Sequence, residues 1–317
     1  MCSRALTWLA VMTTLSDVAI PIVSYHHRDF LLADLQSLKH DSRVSVCIPA
    51  RDEETTLGPI VETVRRELLD EAELVDDLLV VDDGSTDATA MVAISAGARV
   101  VPVSNVAGSR SGKGAAMRRG LAETSGDIVV FLDGDVQSFG SHFVTGLLGA
   151  LLCRKQTMLV KAAYRRPLGD SPNDGGRVTE LTARPVLALL FPELAGVVQP
   201  LAGEVAVRRK AIEDVELADG YGVEMGMLID VAHRYGTSAI AQVDLDVRVH
   251  RNRPLRELAP QARTCSLSCL SWLRLLKSWS LRQSRGGSLC KLATHTKIVR
   301  PFFIRSLELM KSVRLTQ

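Results

Sequence analysis

Short runs of apolar residues alternate with amphipathic segments between Val44 and Asp135. The apolar runs predict strands at residues 44–48, 78–81, 98–103 and 128–132. The segments between them predict helices that end near residues 69, 96 and 122, with Thr55 or Thr56 as cap of the first. Apolar strands separated by helices are typical of a mainly parallel sheet that helices cover on both faces. We therefore expect an α/β fold.

The second half of the chain has a less regular pattern. It predicts strands at 159–164 and 239–249, a polar loop at 165–176, a helix at 178–190 that Pro185 divides, and a loop leading into a helix at 220–235. From these elements we expect an N-terminal arm at 1–42 and one domain with two halves, 43–137 and 138–262. An atypical basic tail follows at 263–317.

Polar clusters follow three of the predicted strands, at residues 49–54, 82–85 and 133–135. Ligands of parallel sheets bind beyond the carboxyl ends of the strands, so these clusters are expected at one site. The last cluster, Asp133-Gly134-Asp135, has two carboxylates of the kind that Mg²⁺ or Mn²⁺ prefers, and such an ion neutralises a nucleotide diphosphate. The alternative is a solvated turn, but the two acidic strand ends before it favour a metal site.

Five polar segments are candidate binding loops, and two of them belong to the clusters just described. Residues 82–87 offer acids to a base or ribose, or cap the next helix, and the acids at 52–54 grip a ribose or stabilise a first helical turn. Residues 108–114 fail the Walker pattern, but Lys113 at a helix start suits a phosphate. Residues 175–180 form an anion cradle or an ordinary cap, and 248–254 suit an anion and a metal or form a solvated loop.

Composition limits the possible partners and location of the protein. The aromatic fraction of 4% disfavours a base-stacking nucleic-acid platform. Six cysteines without CxxC spacing favour a reducing cytoplasm, and the mildly apolar stretch at 5–23, interrupted by Asp17, is too short for stable membrane insertion. The net charge of +2 is uneven, because residues 263–317 hold 11 of the 38 Lys and Arg but one of the 36 Asp and Glu.

Ten segments in order between Val44 and Leu258 resemble the glucosyl-3-phosphoglycerate synthases of actinobacteria, which are GT-A glycosyltransferases. They are VSVCIPARDEE, VVDDGSTDAT, GKGAAMRRGLA, GDIVVFLDGD, KAAYRRPL, GGRVTEL, ARPVLALLFPEL, QPLAGE, DGYGVEMGMLID and AIAQVDLDVRVHRNRPL. The resemblance implies a GT-A fold with a helical and loop acceptor region, in which residues 43–137 are the nucleotide-sugar-binding half and 138–262 the acceptor-binding half. It also implies metal-dependent, retaining transfer of glucose from UDP-glucose to the 2-hydroxyl of 3-phosphoglycerate, an early step toward methylglucose lipopolysaccharides, by a cytoplasmic homodimer.

The same resemblance implies roles for individual residues. Asp135 and His250 would hold Mg²⁺ or Mn²⁺, and Asp135, Glu224 and Lys113 would be catalytic. The donor contacts would be Pro49, Ala50, Arg51, Asp52, Glu53, Asp83, Lys113, Asp133, Gly134, Tyr221, Glu224, Arg248, Arg251 and Arg253. The acceptor contacts would be Gly176, Arg177, Val178, Thr179 and Asn252. The family often has Ser at positions 83 and 134, so Asp83 and Gly134 leave the preference for base and sugar open.

The tail after residue 262 does not continue the family pattern. Three interpretations stand: a basic amphipathic segment for a membrane surface or partner, an ordinary oligomer contact, or an out-of-frame translation that is mostly disordered, which we favour. Other functions also stay open. They are transfer from GDP-mannose or GDP-glucose, transfer to a lipid phosphate, nucleotidyl transfer, and binding of nucleotide sugars without activity.

Overall fold

The computed structural model describes residues 21–103, 112–171, 175–215, 217–218, 220–249 and 254–283, without the side chains of residues 221, 255 and 273–283. Eight strands form one sheet: β1 (Val23–His26), β2 (Val44–Ala50), β3 (Asp77–Asp82), β4 (Arg99–Pro102), β5 (Ile128–Phe131), β6 (Leu159–Arg165), β7 (Val205–Arg208) and β8 (Ile240–Val247). Their order across the sheet is β1-β8-β6-β7-β5-β2-β3-β4.

All neighbouring strands of this sheet are parallel except at β7, which is antiparallel to both β5 and β6. In the centre, Cys47 of β2 lies opposite Leu79 of β3 and Phe131 of β5. The expected mainly parallel α/β sheet is confirmed, and its carboxyl edge gathers the ends of β2, β3 and β5.

Eight α-helices occur among the described residues: α1 (Leu32–Lys39), α2 (Leu57–Thr63), α3 (Thr89–Ser95), α4 (Lys113–Glu123), α5 (His142–Leu152), α6 (Arg184–Leu190), α7 (Val223–Tyr235) and α8 (Leu255–Gln283). π-Helical turns continue α2 over Val64–Glu71 and precede α6 at Thr179–Ala183. Pro185 lies in the first turn of α6, where a missing amide hydrogen is tolerated, so it begins this helix and does not divide it.

The centre of the sheet is apolar because its strands are covered on both faces. Every residue of β2 except Pro49 is buried, as the run VSVCIPA predicts. Helix α4 approaches β2 at Gly120, where an added Cβ would overlap Cys47 Sγ. This close packing fixes the N-terminus of α4, and with it Lys113, at the carboxyl edge of the sheet.

Thr56 does not act as the predicted helix cap. It stands at the N-cap position of α2, but its side chain makes no capping hydrogen bond. Its hydroxyl instead donates to the carbonyl oxygen of Gly134 at 2.7 Å, and the carbonyl of Glu53 accepts from the amide of Leu57 at 3.0 Å. The residue therefore ties the loop after β2 to the loop after β5, because the two loops meet at the same sheet edge.

The chain divides into two compact units, residues 1–268 and 269–317. The sheet belongs to the first unit, and the described part of the second is the end of α8 up to Gln283. In the described ranges, no helix has the length and apolar character that crossing a bilayer requires. The four expected divisions of the chain and the origin of its tail stay predictions.

Candidate active site

The polar clusters predicted at the strand ends lie together at the carboxyl edge of the sheet. Asp83, after β3, is buried, and its Oδ1 accepts a hydrogen bond from the amide of Gly112 at 3.0 Å. Asp52, after β2, accepts from the amide of Thr86 at 2.7 Å. Both carboxylates therefore brace loops as well as line the site, but Asp83 does not cap the next helix and Asp52 does not lie in a first helical turn, the structural roles that the sequence left as alternatives.

Arg248 connects the two acids of the Asp133-Gly134-Asp135 segment. One terminal nitrogen of its guanidinium lies 2.8 Å from Asp133 Oδ2 and 2.8 Å from Asp135 Oδ1, and its Nε lies 2.7 Å from Glu204 Oε1. The Arg248 side chain is only 3% exposed. Burial disfavours its charge, but the surrounding carboxylates, Glu204 foremost, raise the pKa of Arg248 well above its usual value.

Lys113 holds Asp133 from the other side. Its Nζ forms ion pairs with Asp133 Oδ1 and, at 2.7 Å, with Glu224 Oε1. Burial would lower the pKa of Lys113, but the charges of Asp133 and Glu224 raise it above its usual range. Burial likewise would raise the pKa of Asp133, but Lys113 and Arg248 hold it far below its usual value. Asp133 and Lys113 are therefore both charged at neutral pH.

Asp135 differs from Asp133 in its surroundings. Its side chain is 28% exposed and has one cationic partner, Arg248, in the described structure. A carboxylate with free oxygen lone pairs at the mouth of a site is the hard donor that Mg²⁺ or Mn²⁺ takes. Asp135 therefore fits a metal ligand, whereas Asp133 is already held between two cations. The predicted second ligand, His250, lies outside the described residues.

The predicted anion cradle forms the other end of the site. The amide of Gly175 donates to the carbonyl of Arg166 at 2.9 Å, and Gly176 has a φ of +74°, which disfavours side chains other than glycine. Thr179 then opens the π-helical turn before α6. The segment 176–179 lies at the start of a helix, as the sequence indicated, and this helix passes from α-helical residues 177–178 into the π-helical turn.

One cleft of about 560 Å³ contains both ends of the site. Most of the predicted site residues line it: Pro49, Ala50, Arg51, Asp52, Glu53, Asp83, Lys113, Asp133, Gly134, Asp135, Gly176, Arg177, Val178, Thr179, Glu224 and Arg248. Tyr221 lies in the turn Gly220–Gly222, but its side chain is not described. His250, Arg251, Asn252 and Arg253 lie outside the described residues. The role of each residue stays a prediction.

Sequence reasoning missed several residues of the cleft and its supports. Arg166 lines the cleft, and so does Cys265 of α8. Behind the cleft, Glu204 accepts a hydrogen bond from the hydroxyl of Tyr164 at 2.8 Å. A signal existed for Glu204, because a lone acid inside the apolar run 197–207 requires a buried partner.

A buried lysine supports the segment before Glu204. Lys161 of β6 is fully buried, and its Nζ donates to the carbonyl of Ala202. Burial lowers the pKa of Lys161 to about 8. The hydrogen bond fixes the turn that carries Gly203, so this backbone stays against Lys113 and Asp133.

A second group of possible metal ligands, His26, His27 and Asp246, lies outside the cleft lining. The Nδ1 atom of His26 accepts a hydrogen bond from the amide of Arg28 at 3.2 Å, so a neutral ring carries its proton on Nε2. That nitrogen faces Asp246 at 3.4 Å as a donor, and Arg28 also binds this carboxylate at 2.9 Å. We interpret the group as a hydrogen-bonded closure between β1 and the end of β8.

Comparison with known proteins finds a glycosyl transferase family and several similar synthases. Residues 45–159 match the model of glycosyl transferase family 2. The chain is 47% identical over 255 residues to glucosyl-3-phosphoglycerate synthase of Mycolicibacterium smegmatis, covering 78% of this chain and 83% of that protein. It is 41% identical to the synthase of Petrotoga mobilis, covering 75% and 77%.

A solved structure extends this likeness to the fold. The Mycobacterium tuberculosis glucosyl-3-phosphoglycerate synthase, in complex with Mn²⁺, UDP-glucose and phosphoglyceric acid, superposes with a TM-score of 0.73 at 45% identity. The match covers 80% of this chain and 88% of that one. Another structure of that enzyme contains Mg²⁺ and UDP and gives a TM-score of 0.72.

Proposed function

Because the chain belongs to the glucosyl-3-phosphoglycerate synthases, we propose that it transfers glucose from UDP-glucose to 3-phosphoglycerate with the help of Mg²⁺ or Mn²⁺. The observation that carries this proposal is the single cleft, which has the acidic pair Asp133 and Asp135 at one end and the cradle 176–179 at the other. A nucleotide diphosphate with its ion fits the first end. An acceptor with a phosphate and a carboxylate fits the second, where backbone amides and Arg177 meet.

The residues of the cleft divide the chemical work. Asp135 and, by resemblance, His250 would hold the divalent ion, which neutralises the diphosphate as the bond to glucose breaks. Lys113 adds a fixed positive charge close to Asp133, and Arg248 adds another beside Asp135. Such preorganised charges stabilise the negative charge that develops on the leaving group.

We propose that glucose transfers with retention at C1. The only free hydroxyl of 3-phosphoglycerate, on C2, would attack C1 on the face from which the diphosphate leaves. The C1–phosphate bond breaks, and the hydroxyl proton passes to the departing phosphate oxygen. Glu224 is the nearest candidate for a covalent nucleophile, but it is buried and engaged by Lys113 at 2.7 Å, which favours the one-step route.

The test is transfer of labelled glucose to 3-phosphoglycerate with Mg²⁺, with Mn²⁺ and with EDTA. A metal-dependent product that phosphatase modifies would support donor, acceptor and ion together, and NMR of its anomeric proton would report retention or inversion. GDP-glucose and GDP-mannose as competitors test the donor. UDP-glucose binding without transfer would overturn the acceptor assignment.

A homodimer and a cytoplasmic location also remain proposals. The sequence resemblance supports the first, and sedimentation velocity at several protein concentrations tests it. The second is supported by the cysteines, because none of the four within the described ranges, Cys47, Cys153, Cys265 and Cys269, forms a disulfide. Cell fractionation tests the location.

A further inference from the structure

Glu204 is a fully buried carboxylate directly before β7. Its two oxygens have different partners. Oε1 accepts from Nε of Arg248 at 2.7 Å, and Oε2 accepts from the hydroxyl of Tyr164 at 2.8 Å. A buried carboxylate is costly unless it is paired and hydrogen-bonded, and here both oxygens are engaged by groups that reach toward the cleft.

The first branch leads to Asp133 and Asp135, at the end of the cleft proposed for the sugar donor, here called the donor end. Arg248, with its Nε fixed by Glu204, directs a terminal nitrogen at both Asp133 and Asp135, 2.8 Å from each. A guanidinium is planar, so fixing one side of it sets the direction of the other. Glu204 thereby fixes the guanidinium that holds the carboxylate of Asp135 in its position at the cleft.

The second branch leads to the cradle 176–179, at the end of the cleft proposed for the acceptor, here called the acceptor end. The Tyr164 hydroxyl accepts from a terminal nitrogen of Arg166 at 2.8 Å, and this guanidinium lies over the Tyr164 ring at 4.9 Å. Arg166 in turn packs under Gly176, where an added Cβ would lie 3.2 Å from its Cδ. Arg166 lines the cleft beside residues 176–179. Through the hydroxyl of Tyr164, the position of Glu204 therefore affects the position of Arg166 at the acceptor end.

We propose that Glu204 is a positioning residue that aligns the metal-binding acid at the donor end with the cradle at the acceptor end. It touches no substrate and acts through Arg248 on one side and Tyr164 with Arg166 on the other. A carboxylate is required because it alone accepts from both donors at once. A glutamine has one acceptor oxygen, and its amide nitrogen would face a donor. The inference rests on the proposed function only where it concerns the KM for 3-phosphoglycerate.

The two branches can be separated with isosteric variants. Glu204→Gln should weaken both, so we expect a higher Mn²⁺ requirement, a higher KM for 3-phosphoglycerate and a kcat/KM about 10²-fold lower, as misplacement by about 1 Å typically costs. Tyr164→Phe removes the hydroxyl that links Glu204 to Arg166 and leaves the hydrogen bond between Glu204 and Arg248 in place. It should raise KM for 3-phosphoglycerate about tenfold, the loss of one hydrogen bond to a charged group, and leave Mn²⁺-dependent UDP binding within about twofold of wild type.

A matched control is Ile60→Val in α2, a buried core change expected to lower the Tm without moving KM. Calorimetric UDP binding with Mn²⁺ needs no acceptor, so it tests the Arg248 branch even if wild-type protein transfers no glucose. Unchanged Mn²⁺ and acceptor constants in Glu204→Gln would overturn the proposal. Equal effects of Tyr164→Phe on both ends would also overturn it, and this variant keeps the test open if Glu204→Gln does not fold.

Discussion

Gly203 lies directly behind an ion pair that lines the cleft, and one added methyl group there should have a large effect. Its backbone lies against the ion pair of Lys113 and Asp133. A Cβ built on it would overlap Lys113 Nζ and Asp133 Oδ1 and lie 2.5 Å from Asp133 Cγ. The turn itself cannot retreat easily, because Lys161 holds the preceding carbonyl of Ala202. In Gly203→Ala the ion pair must therefore move.

The loss of stability in Gly203→Ala depends on how firmly Lys113 and Asp133 are held. Asp133 is short and is anchored by Arg248 at 2.8 Å, and Lys113 is anchored by Glu224 at 2.7 Å. Overpacking of this kind typically costs about 1–3 kcal/mol. For a domain of this size that is a fall in Tm of roughly 2–4 °C per kcal/mol. A displacement of about 1 Å in the fixed charges should lower kcat about 10²-fold.

The assay compares Gly203→Ala with wild type in glucose transfer and in calorimetric melting. The control is Gly226→Ala in α7, where the nearest atom to the added Cβ is Ala218 Cβ at 3.5 Å, an ordinary contact. A Gly203→Ala enzyme whose kcat and Tm both match wild type would show that Lys113 and Asp133 do not occupy these positions. A lower Tm with unchanged kcat would refute only the catalytic part of the reasoning.

Three further outcomes are expected. Gly226→Ala should raise the free energy of unfolding by about 0.4–1 kcal/mol without changing KM, since alanine loses less backbone entropy in a helix, and urea titration measures this. Asp135→Asn should abolish metal-dependent transfer with little change in Tm, because the side chain is partly exposed and its one ion-pair partner among the described residues is Arg248; residual turnover that responds to Mn²⁺ would contradict its role. Burial lowers the pKa of His142 below its usual value, so below about pH 6.5 the unfolded state binds more protons and stability should fall from pH 7 to 5. His142→Gln should flatten that slope in urea titrations, and an unchanged slope would assign it to other groups.

The acidic end of the cleft could be predicted because each of its loops follows an apolar strand with a visible end. Asp83 follows β3 and Asp133 follows β5, and a parallel sheet brings such ends to one edge. The alternation of strands and helices therefore carried most of the information about the fold and the donor end. Strands β2, β3 and β4 are neighbours in the sheet in the same order as in the sequence. The local pattern of this half therefore predicts the fold without information about distant residues.

The elements missed by sequence analysis lack such a signal. Helix α5 is buried almost all round, so it shows no amphipathic period, and Gly149 in it packs against the ring of Phe30. Strand β7 is only four residues long and joins the sheet antiparallel, next to strands distant in sequence. Edge strand β1 is half-buried and precedes the regular pattern. These placements depend on tertiary packing, which a local pattern does not contain.

The division of labour within Asp133-Gly134-Asp135 shows what local pattern leaves open. Two identical carboxylates, separated by one glycine, read alike in sequence. In the structure Asp133 lies between Lys113 and Arg248, whereas Asp135 faces the cleft and, within the described residues, has Arg248 as its one cationic partner. The first acid thus holds the cations that line the site, and the second is the one for which we propose a role as metal ligand. The difference arises from residues far along the chain, so it exists only once the sheet has formed.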